Sequence, residues 1–171
     1  AKVVGTVALH ESNPQKNDSE AIEQVKIAVT GGTLKTSAPD AAQAVYSEDC
    51  TGFVAGGAFN TELPVAVLAD GSAMLVNEEG SVSVMDEFDA VAGAGAFVEK
   101  DGKRVYYTTP AAAENANPGA TEDIKVYAVE VSGQKFATLE EGIAAAKNGG
   151  TVTLLSDLGA DQVSAGKDKY I

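Results

Sequence analysis

VTGGTLKT (Val29–Thr36) and VAGGAFNT (Val54–Thr61) are two copies of one eight-residue phrase. Both read Val-small-Gly-Gly-small-apolar-polar-Thr, and they begin 54 − 29 = 25 residues apart. A period of about 25 residues is typical of one coil of a β-solenoid, whose strands must pair with those of a neighbouring coil. The repeat therefore predicts stacked coils in this part of the chain. The alternative is two unrelated hairpins that both needed glycines.

The glycine pair in each phrase predicts a corner between two strand faces, because Gly adopts positive φ without strain. Leu34 and Phe59 follow the glycines at equivalent positions, so we expect both side chains to point inward and to stack coil upon coil. Thr36 and Thr61 are expected to stack at the next corner.

Composition favours thin β layers and argues against several partners. The chain is 44% hydrophobic but only 6% aromatic, with 18 Gly and no Trp, so its core must consist mainly of Val, Ala, Ile and Leu. Twelve basic residues face 25 acidic ones, and a net charge of −13 disfavours nucleic acid and anionic membrane surfaces as partners. No apolar run approaches about 18 residues, so no membrane insertion is predicted.

Cys50 is the single cysteine, which excludes an intramolecular disulfide and a Cys-rich zinc site. It is either a small buried hydrophobe or a reactive thiol, and YSEDCTGF contains no basic residue that would lower its pKa. The first residues lack a signal-peptide pattern, and the last segment, GKDKYI, stops in mid-phrase on the β-forming residues Tyr and Ile. We therefore expect the chain to be a piece of something longer.

Local patterns predict the remaining β structure. Residues 1–10 and 21–30 are predicted strands, with a polar loop between them. Asp70-Gly71 lies between two apolar runs and predicts a hairpin, and a second turn is expected at residues 78–80. The acidic and Gly-rich segment 86–95 is a candidate domain boundary.

A second repeat follows that boundary. Residues 97–117 and 128–148 align without gaps at an offset of 133 − 102 = 31, and each copy reads strand, X-Gly turn, strand and short helix. In the first copy, Pro110 is expected in the first helical turn and Pro118 at the stop.

The helix of the second copy has clear end signals. Thr138 and Glu141 have the spacing of a capping box, and Gly149-Gly150 is expected to end the helix. The apolar residues of one helical face are Leu139, Ile143 and Ala146. TVTLLSDL, residues 151–158, is a predicted strand.

GQKFATLEEGIAAAKNGGTVTLLSDL (133–158) resembles a recurring segment of bacterial cell-surface and secreted repeat proteins. Their pattern is G-x-x-[YF]-x-T-L-x-E-A-I-x-A-A followed by G-[DG]-T-[VI]-T-L-L-x-D. The matching residues are Gly133, Phe136, Thr138, Leu139, Glu141, Ile143, Ala145, Ala146, Thr151, Val152, Thr153, Leu154, Leu155 and Asp157. Gly142 departs from the pattern, because that family prefers Ala there, and Gly weakens a helix by about 1 kcal/mol.

The resemblance implies a right-handed parallel β-helix of the pectate-lyase-like type. The two glycine phrases are similar to I-x-G-G-T-F phrases near the far end of such helices. The implied organisation is C-terminal-type β-helix coils and hairpins in residues 1–85, a connector or decayed repeat in 86–126, and a truncated strand-hairpin-helix-strand unit that opens a following β-helix in 127–171. The fold class is therefore mainly β, with one or two short helices.

Chemistry-bearing residues are sparse. His10 is the only histidine and is expected to cap a strand. The acidic clusters at 17–20, 47–49, 77–80 and 86–89 are predicted to be solvated turns, with calcium left open at the first and last. Lys103-Arg104 is read as solvated charge. No catalytic, cofactor or transition-metal site is predicted.

Tyr106 and Tyr107 are the candidate ligand contacts, because aromatic side chains can stack on sugar rings and these two are adjacent. Alternation along a strand sends one ring to each face, and half-buried packing is the commoner role for such residues.

Three functions remain open. The first is a non-catalytic structural module of a bacterial cell-surface protein, an adhesin-like stalk or display scaffold in the extracellular space or cell wall. The second is a carbohydrate-binding or carbohydrate-cleaving β-helix fragment, and the third a pilin-like subunit closed by a Lys–Asn isopeptide bond. The partner is an unknown host or glycan ligand, and self-association through open β edges is expected.

Overall fold

The computed structural model describes residues 1–22, 26–147 and 149–158, and its fold is mainly β. The strands are β1 (Lys2–Gly5), β2 (Leu9–Glu11), β3 (Val29–Thr36), β4 (Val45–Ser47), β5 (Val54–Phe59), β6 (Ser72–Val76), β7 (Val82–Asp86), β8 (Ala96–Lys100), β9 (Lys103–Tyr107), β10 (Lys125–Val126), β11 (Val129–Val131), β12 (Gln134–Phe136) and β13 (Thr153–Leu154). The helices are α1 (Ser19–Ile22), α2 (Glu87–Gly93), α3 (Pro110–Ala116) and α4 (Leu139–Ala145). Two short 3-10 turns lie at Val65–Val67 and Thr121–Asp123. Helices are thus more numerous than the one or two predicted.

Most strands belong to one eight-stranded sheet in the order β1-β3-β5-β7-β6-β9-β8-β10. The first three strands pair in parallel, as do β6 and β9, while the other neighbours are antiparallel. Two small sheets, β12-β11-β13 and the parallel pair β2-β4, accompany it. The large sheet contains strands from both sides of segment 86–95, so the predicted boundary is not a break in the sheet.

The two glycine phrases form neighbouring parallel strands, β3 and β5, rather than two unrelated hairpins. Leu34 is the register partner of Phe59, and both are buried in the main core, with exposures of 8% and 2%. The prediction that these two side chains stack inside the molecule is confirmed.

The predicted corner at the glycines is wrong. The glycines lie inside β3 and β5, where the register shifts between Thr30 and Thr33 in a bulge-like irregularity. Because Gly56 has no Cβ, the Thr30 carbonyl approaches to 2.8 Å from the place a Cβ would occupy. The glycines therefore permit close approach of two adjacent strands.

The threonines of the two phrases do not stack. The Thr36 amide and carbonyl instead bond the Asn60 side chain at 2.9 and 2.8 Å. The Thr61 hydroxyl accepts from the Ala44 amide, 2.9 Å away. Asn60, one position before Thr61, is therefore the residue that pairs with Thr36 across the two strands.

The amino-terminal strand predictions are correct in part. Residues 1–10 divide into β1 and β2, with a turn between them, and β1 pairs in parallel with β3. Of the predicted strand at 21–30, residues 21–22 belong to α1, residues 26–28 are not in a strand, and β3 begins at Val29. Val25, which carried part of that alternation, lies outside the described residues.

One predicted hairpin is wrong and the other is confirmed. The chain turns at Asp70-Gly71, but the apolar run before it forms a 3-10 turn after Pro64 and then a parallel bridge from Leu68 to Val54. β6 pairs instead with β7, through the turn predicted at 78–80. Asn77 closes that turn, since its Oδ1 accepts from two amides of the turn at 3.0 and 2.9 Å.

A hairpin followed by a helix occurs three times, as β6-β7-α2, β8-β9-α3 and β11-β12-α4. The second and third units were predicted, with Pro110 in the first turn of α3 and a complete capping box on α4. The gapless alignment is wrong beyond the hairpin turns, because the N-caps Thr109 and Thr138 are 138 − 109 = 29 residues apart. The second strand of the last unit is two residues shorter.

The carboxyl-terminal expectations need two corrections. α4 ends at Ala145, before Gly149-Gly150, and the member of α4 that is fully buried is Gly142. Of the predicted strand 151–158, only Thr153–Leu154 form a strand, which pairs with β11, and Leu154 is exposed. Among the described strands, the small sheet thus ends at the short β13.

The sheet is packed on both faces. The larger apolar cluster takes in Leu34, Phe59 and α3, and the smaller one lies under α2 on the opposite face. Tyr107 belongs to the first and Tyr106 to the second, as strand alternation predicted. The helices α2 and α3 therefore cover opposite sides of the same strands.

Candidate functional site

A cleft opens where α2 and the β11-β12 hairpin meet one face of β8 and β9, and we call it the α2 cleft. Its inner part has a volume of about 400 Å³. The inner part is lined by Glu87, Val91, Phe97, Arg104, Tyr106, Tyr127, Gln134, Lys135, Phe136, Ala137 and Glu141. Its outer part has about 510 Å³ and is lined by Glu87, Phe88, Val91, Ala92, Ser132, Gly133 and Gln134. The two parts share Glu87, Val91 and Gln134, so they form one continuous depression.

The position of Glu87 follows from the start of α2. Asp86 caps this helix, because its Oδ1 accepts from the Phe88 amide at 2.9 Å. Glu87 is then the first helical residue, and its Oε1 accepts from the Tyr106 hydroxyl at 2.7 Å. Burial and the neighbouring Glu87 carboxylate raise the pKa of Tyr106, so the phenol stays protonated and donates.

Two cations border the cleft, and both already have partners. The Arg104 guanidinium lies over the Phe97 ring, 4.6 Å from its centroid, and its Nε is 3.4 Å from Glu99 Oε1. Lys135 Nζ donates to the carbonyls of Ala92 and Ala94 at 2.9 and 2.6 Å. Burial lowers the pKa of Lys135. These bonds fasten β12 to the end of α2 and fix the width of the cleft.

Tyr106 and Tyr107 do not offer the ring faces that sugar stacking needs, since they are 1% and 0% exposed. Burial of both rings argues against sugar stacking on them, and a ligand contact at either residue stays a prediction. The exposed ring beside the cleft belongs to Phe88, which is 76% exposed. The segment DEFD, residues 86–89, contains the sequence signal for this position, because an Asp can cap a helix that begins at the next residue. The acidic residues of the segment instead favour a solvated turn, which is the prediction that the helix replaces.

Tyr107 belongs to a second polar cluster on the opposite face. Lys100 Nζ lies 2.7 Å from Glu62 Oε2, Tyr107 OH donates to Glu62 Oε1 at 2.9 Å, and Asn117 Nδ2 donates to the Tyr107 oxygen at 3.0 Å. Burial by itself lowers the pKa of Lys100, but the hydrogen bond and the charge of Glu62 outweigh burial, so the pKa of Lys100 is raised overall. The cluster ties β8, β9 and the end of α3 to the loop after β5.

Glu11 organises a third polar site. Its Oε2 accepts from the Ser47 hydroxyl at 2.7 Å and from the amides of Glu48, Asp49 and Cys50 at 3.0–3.1 Å. These donors, first the Asp49 amide and then the Ser47 hydroxyl, lower the pKa of Glu11 to about 2. A carboxylate held this way fastens the 47–50 turn to β2.

The other residues that the sequence analysis considered, His10, Cys50 and Lys103, each contact other parts of the fold. His10 packs edge-on against Tyr46, with ring centroids 4.9 Å apart. Cys50 is half-buried, and burial together with the charges of Glu11 and Asp49 raises its pKa, which disfavours a reactive thiolate. Lys103, read as solvated, donates to the Leu68 carbonyl at 2.8 Å. Within the described ranges, no three His, Cys, Asp or Glu side chains come together as a metal site would require.

In the part of the chain that the structure describes, no helix has the length and apolarity to cross a bilayer. No protein-family model matches this sequence, and the comparisons with curated proteins and with solved structures returned no significant match.

Proposed function

We propose that this chain is a non-catalytic structural module of a bacterial cell-surface protein, an adhesin-like stalk or display scaffold. The observation that carries the proposal is the parallel pairing of β3 with both β1 and β5. Strands that are consecutive along one face and parallel to each other require the chain to return to the same edge after each pass. Such winding makes an extended scaffold that lengthens by adding passes.

A right-handed parallel β-helix is the architecture that we propose for residues 1–60. The second parallel ladder supports it, because β2 pairs with β4 while their neighbours β1 and β3 pair with each other. Stacked coils produce such a pattern, because each strand of one coil pairs in parallel with the equivalent strand of the next coil, here β1 with β3 and β2 with β4. Leu34 and Phe59 support it further, since equivalent side chains of two passes are in contact register inside the core.

The extracellular location belongs to the same proposal. A net charge of −13 keeps a surface protein soluble, and a single cysteine leaves the fold independent of disulfide formation. Among the described residues no strand pairs with the outer side of β1, and a further strand would pair there. Val3 and Val4 on β1 are exposed, and β1 is the outermost strand of the large sheet.

Optical-tweezers stretching through the two chain ends tests the scaffold proposal. A load-bearing module is expected to unfold residues 1–60 in one cooperative step, because the parallel strands share a core. The Phe59→Ala variant should lower the force of that step, whereas Lys35→Ala, an exposed position on β3, should not. Gradual extension of the wild-type chain without a step would contradict a stalk.

Carbohydrate binding or cleavage is the second candidate, and the α2 cleft is the observation that favours it. The cleft combines an exposed aromatic ring with polar side chains, as sugar sites do. Soluble-sugar release from polysaccharides would indicate cleavage, and binding without release would indicate a recognition module.

The pilin-like candidate requires a Lys–Asn bond. Lys100 and Asn117 both lie beside Tyr107, although each also has its own partner, Glu62 for Lys100 and the Ala113 carbonyl for Asn117. Forming the bond joins Lys Nζ to Asn Cγ and expels ammonia. An intact mass equal to that of the sequence would exclude this candidate.

A further inference from the structure

We infer that the α2 cleft binds a neutral saccharide, with Phe88 as the stacking surface and Gln134 and Glu87 as hydrogen-bonding groups. This inference does not rest on the scaffold proposal, since a stalk can carry a binding cleft or lack one. It deepens the carbohydrate candidate, which already points to this cleft, by naming the contacting residues and a class of sugar.

The size of the cleft suits a small ligand. Its two parts, of about 400 and 510 Å³, each fall within the range of about 300–1,000 Å³ that small-molecule sites occupy. The floor is rigid, because Tyr106, Phe97 and Tyr127 are packed in the core beneath α2. Lys135 holds the opposite wall to the end of α2 through two carbonyls. A ligand therefore meets a formed cleft.

Phe88 gives the cleft an apolar surface that folding does not explain. The ring is 76% exposed although Ala90, two residues on, is fully buried. Exposing a Phe ring forgoes about 1.5–3 kcal/mol of burial. A pyranose ring has one face of C–H groups, which packs against an aromatic ring as an apolar surface does.

Polar groups available to a ligand lie next to this ring. Within the described residues, the side-chain amide of Gln134 has no hydrogen-bond partner, and Glu87 uses only its Oε1 oxygen. An amide both donates and accepts and a carboxylate oxygen accepts, so together they match the hydroxyl groups along the edge of a sugar.

Charge selects a neutral ligand over an acidic one. Arg104 Nε is paired with Glu99, and Lys135 is bound to two backbone carbonyls, so both cations that border the cleft already have acceptors. Glu87 and Glu141 also line the cleft, and the whole chain carries a charge of −13. An anionic sugar would be repelled by these carboxylates, and it would have to compete with Glu99 and the backbone carbonyls for the two cations.

Amide NMR spectra of the isotope-labelled chain test the inference. The probes are neutral trisaccharides (cellotriose, mannotriose and chitotriose), the acidic trigalacturonate and the basic trimer of glucosamine, each at millimolar concentration. A neutral probe is expected to shift the amides of Phe88 and Gln134 and to leave those of β1 unchanged.

Variants then assign the contacts. Phe88→Ala and Gln134→Ala should each weaken binding of that probe by about tenfold. Glu87→Gln keeps the acceptor for Tyr106 and should weaken binding less. Tyr46→Ala removes an exposed ring that does not line the cleft and should leave the affinity unchanged. Melting temperatures within the error of wild type would show that each variant is folded.

Three outcomes would overturn the inference. They are no shift of the Phe88 and Gln134 amides with any neutral probe, binding of the acidic or basic trimer alone, and equal weakening by Tyr46→Ala. None of them bears on the stretching experiment, so failure of the cleft and failure of the scaffold are distinguishable.

Discussion

Leu34 and Phe59 occupy equivalent places in the two glycine phrases and stand opposite each other on adjacent parallel strands, inside one core. Their pairing joins a sequence repeat to a structural one. It also makes part of the core depend on a contact between residues 25 positions apart, 59 − 34 = 25.

Removing either side chain should destabilise the protein strongly. We expect Phe59→Ala to lower the free energy of unfolding by about 3–5 kcal/mol and Leu34→Ala by about 2–5 kcal/mol, since each leaves a cavity in a packed core. Chemical denaturation of both single variants and the double variant gives their coupling, expected at about 0.5–3 kcal/mol. Additive losses would show that the two side chains do not support each other, and Lys35→Ala is the surface control.

The glycines at equivalent positions of the two phrases should respond oppositely to alanine. A Cβ on Gly56 would lie 2.8 Å from the Thr30 carbonyl oxygen, whereas one on Gly31 would meet nothing within 4 Å. Gly56→Ala should therefore cost about 1–3 kcal/mol through overpacking. Gly31→Ala should be neutral or stabilise by up to about 1 kcal/mol, because Ala restricts the unfolded chain. Equal effects in denaturation experiments would contradict the close strand approach.

Signals that act within a few residues predicted the structure well. Thr138 and Glu141 form the predicted capping box, and Pro110 begins α3. The β6-β7 turn also lies where it was expected. Each of these features depends on hydrogen bonds or φ angles of adjacent residues, which the sequence specifies directly.

Pairing between distant segments was predicted only where the sequence repeats. The Leu34–Phe59 contact followed from the repeat, but nothing local indicates that Leu68 bridges to Val54 instead of to the strand after Asp70-Gly71. The α2 cleft was missed for the same reason. Its walls come from helix, strand and hairpin segments that only tertiary packing brings together, and the adjacent Tyr106 and Tyr107 are consumed by that packing.

Gly142 should resist the alanine that helix propensity favours at its position. A Cβ there would collide with the Val129 side chain, so Gly142→Ala is expected to cost about 1–3 kcal/mol despite a propensity gain of about 1 kcal/mol. The background Val129→Ala removes the collision and should turn the same substitution neutral or stabilising. Chemical denaturation of the wild type, the two single variants and the double variant gives the four free energies of unfolding. A stabilising Gly142→Ala in the wild-type background would contradict the packing of α4 on β11.

Acid should loosen the 47–50 turn through Glu11. Its pKa is lowered to about 2 in the folded protein from an ordinary value of 4.5, so its contribution is present above pH 4.5 and is lost as the pH falls toward 2. The protection of the Glu48, Asp49 and Cys50 amides against hydrogen exchange, measured relative to their intrinsic rates at each pH, should therefore fall over that range.

Substitutions at Glu11 and at a control carboxylate test whether Glu11 protects these three amides. Glu11→Gln should give fast exchange of these amides already at neutral pH, because a neutral amide is a weaker acceptor than a carboxylate. Glu99→Gln, an exposed carboxylate on β8, is the control. An NMR titration that places the Glu11 pKa near 4.5 would contradict the four-donor site.

The open side of β1 should cause association at high concentration. β1 is the outermost strand of the large sheet, and Val4 on it is 55% exposed, so unpaired backbone groups and apolar side chains are presented together. We expect sedimentation velocity at millimolar protein to show dimers or larger species. Val4→Lys should shift them toward monomer, because pairing a second strand would bring the added charge against the partner. Leu154→Lys alters an equally exposed residue on the small sheet and should have little effect. A monomeric wild type, or equal responses to the two lysines, would show that the β1 edge is not the site of contact.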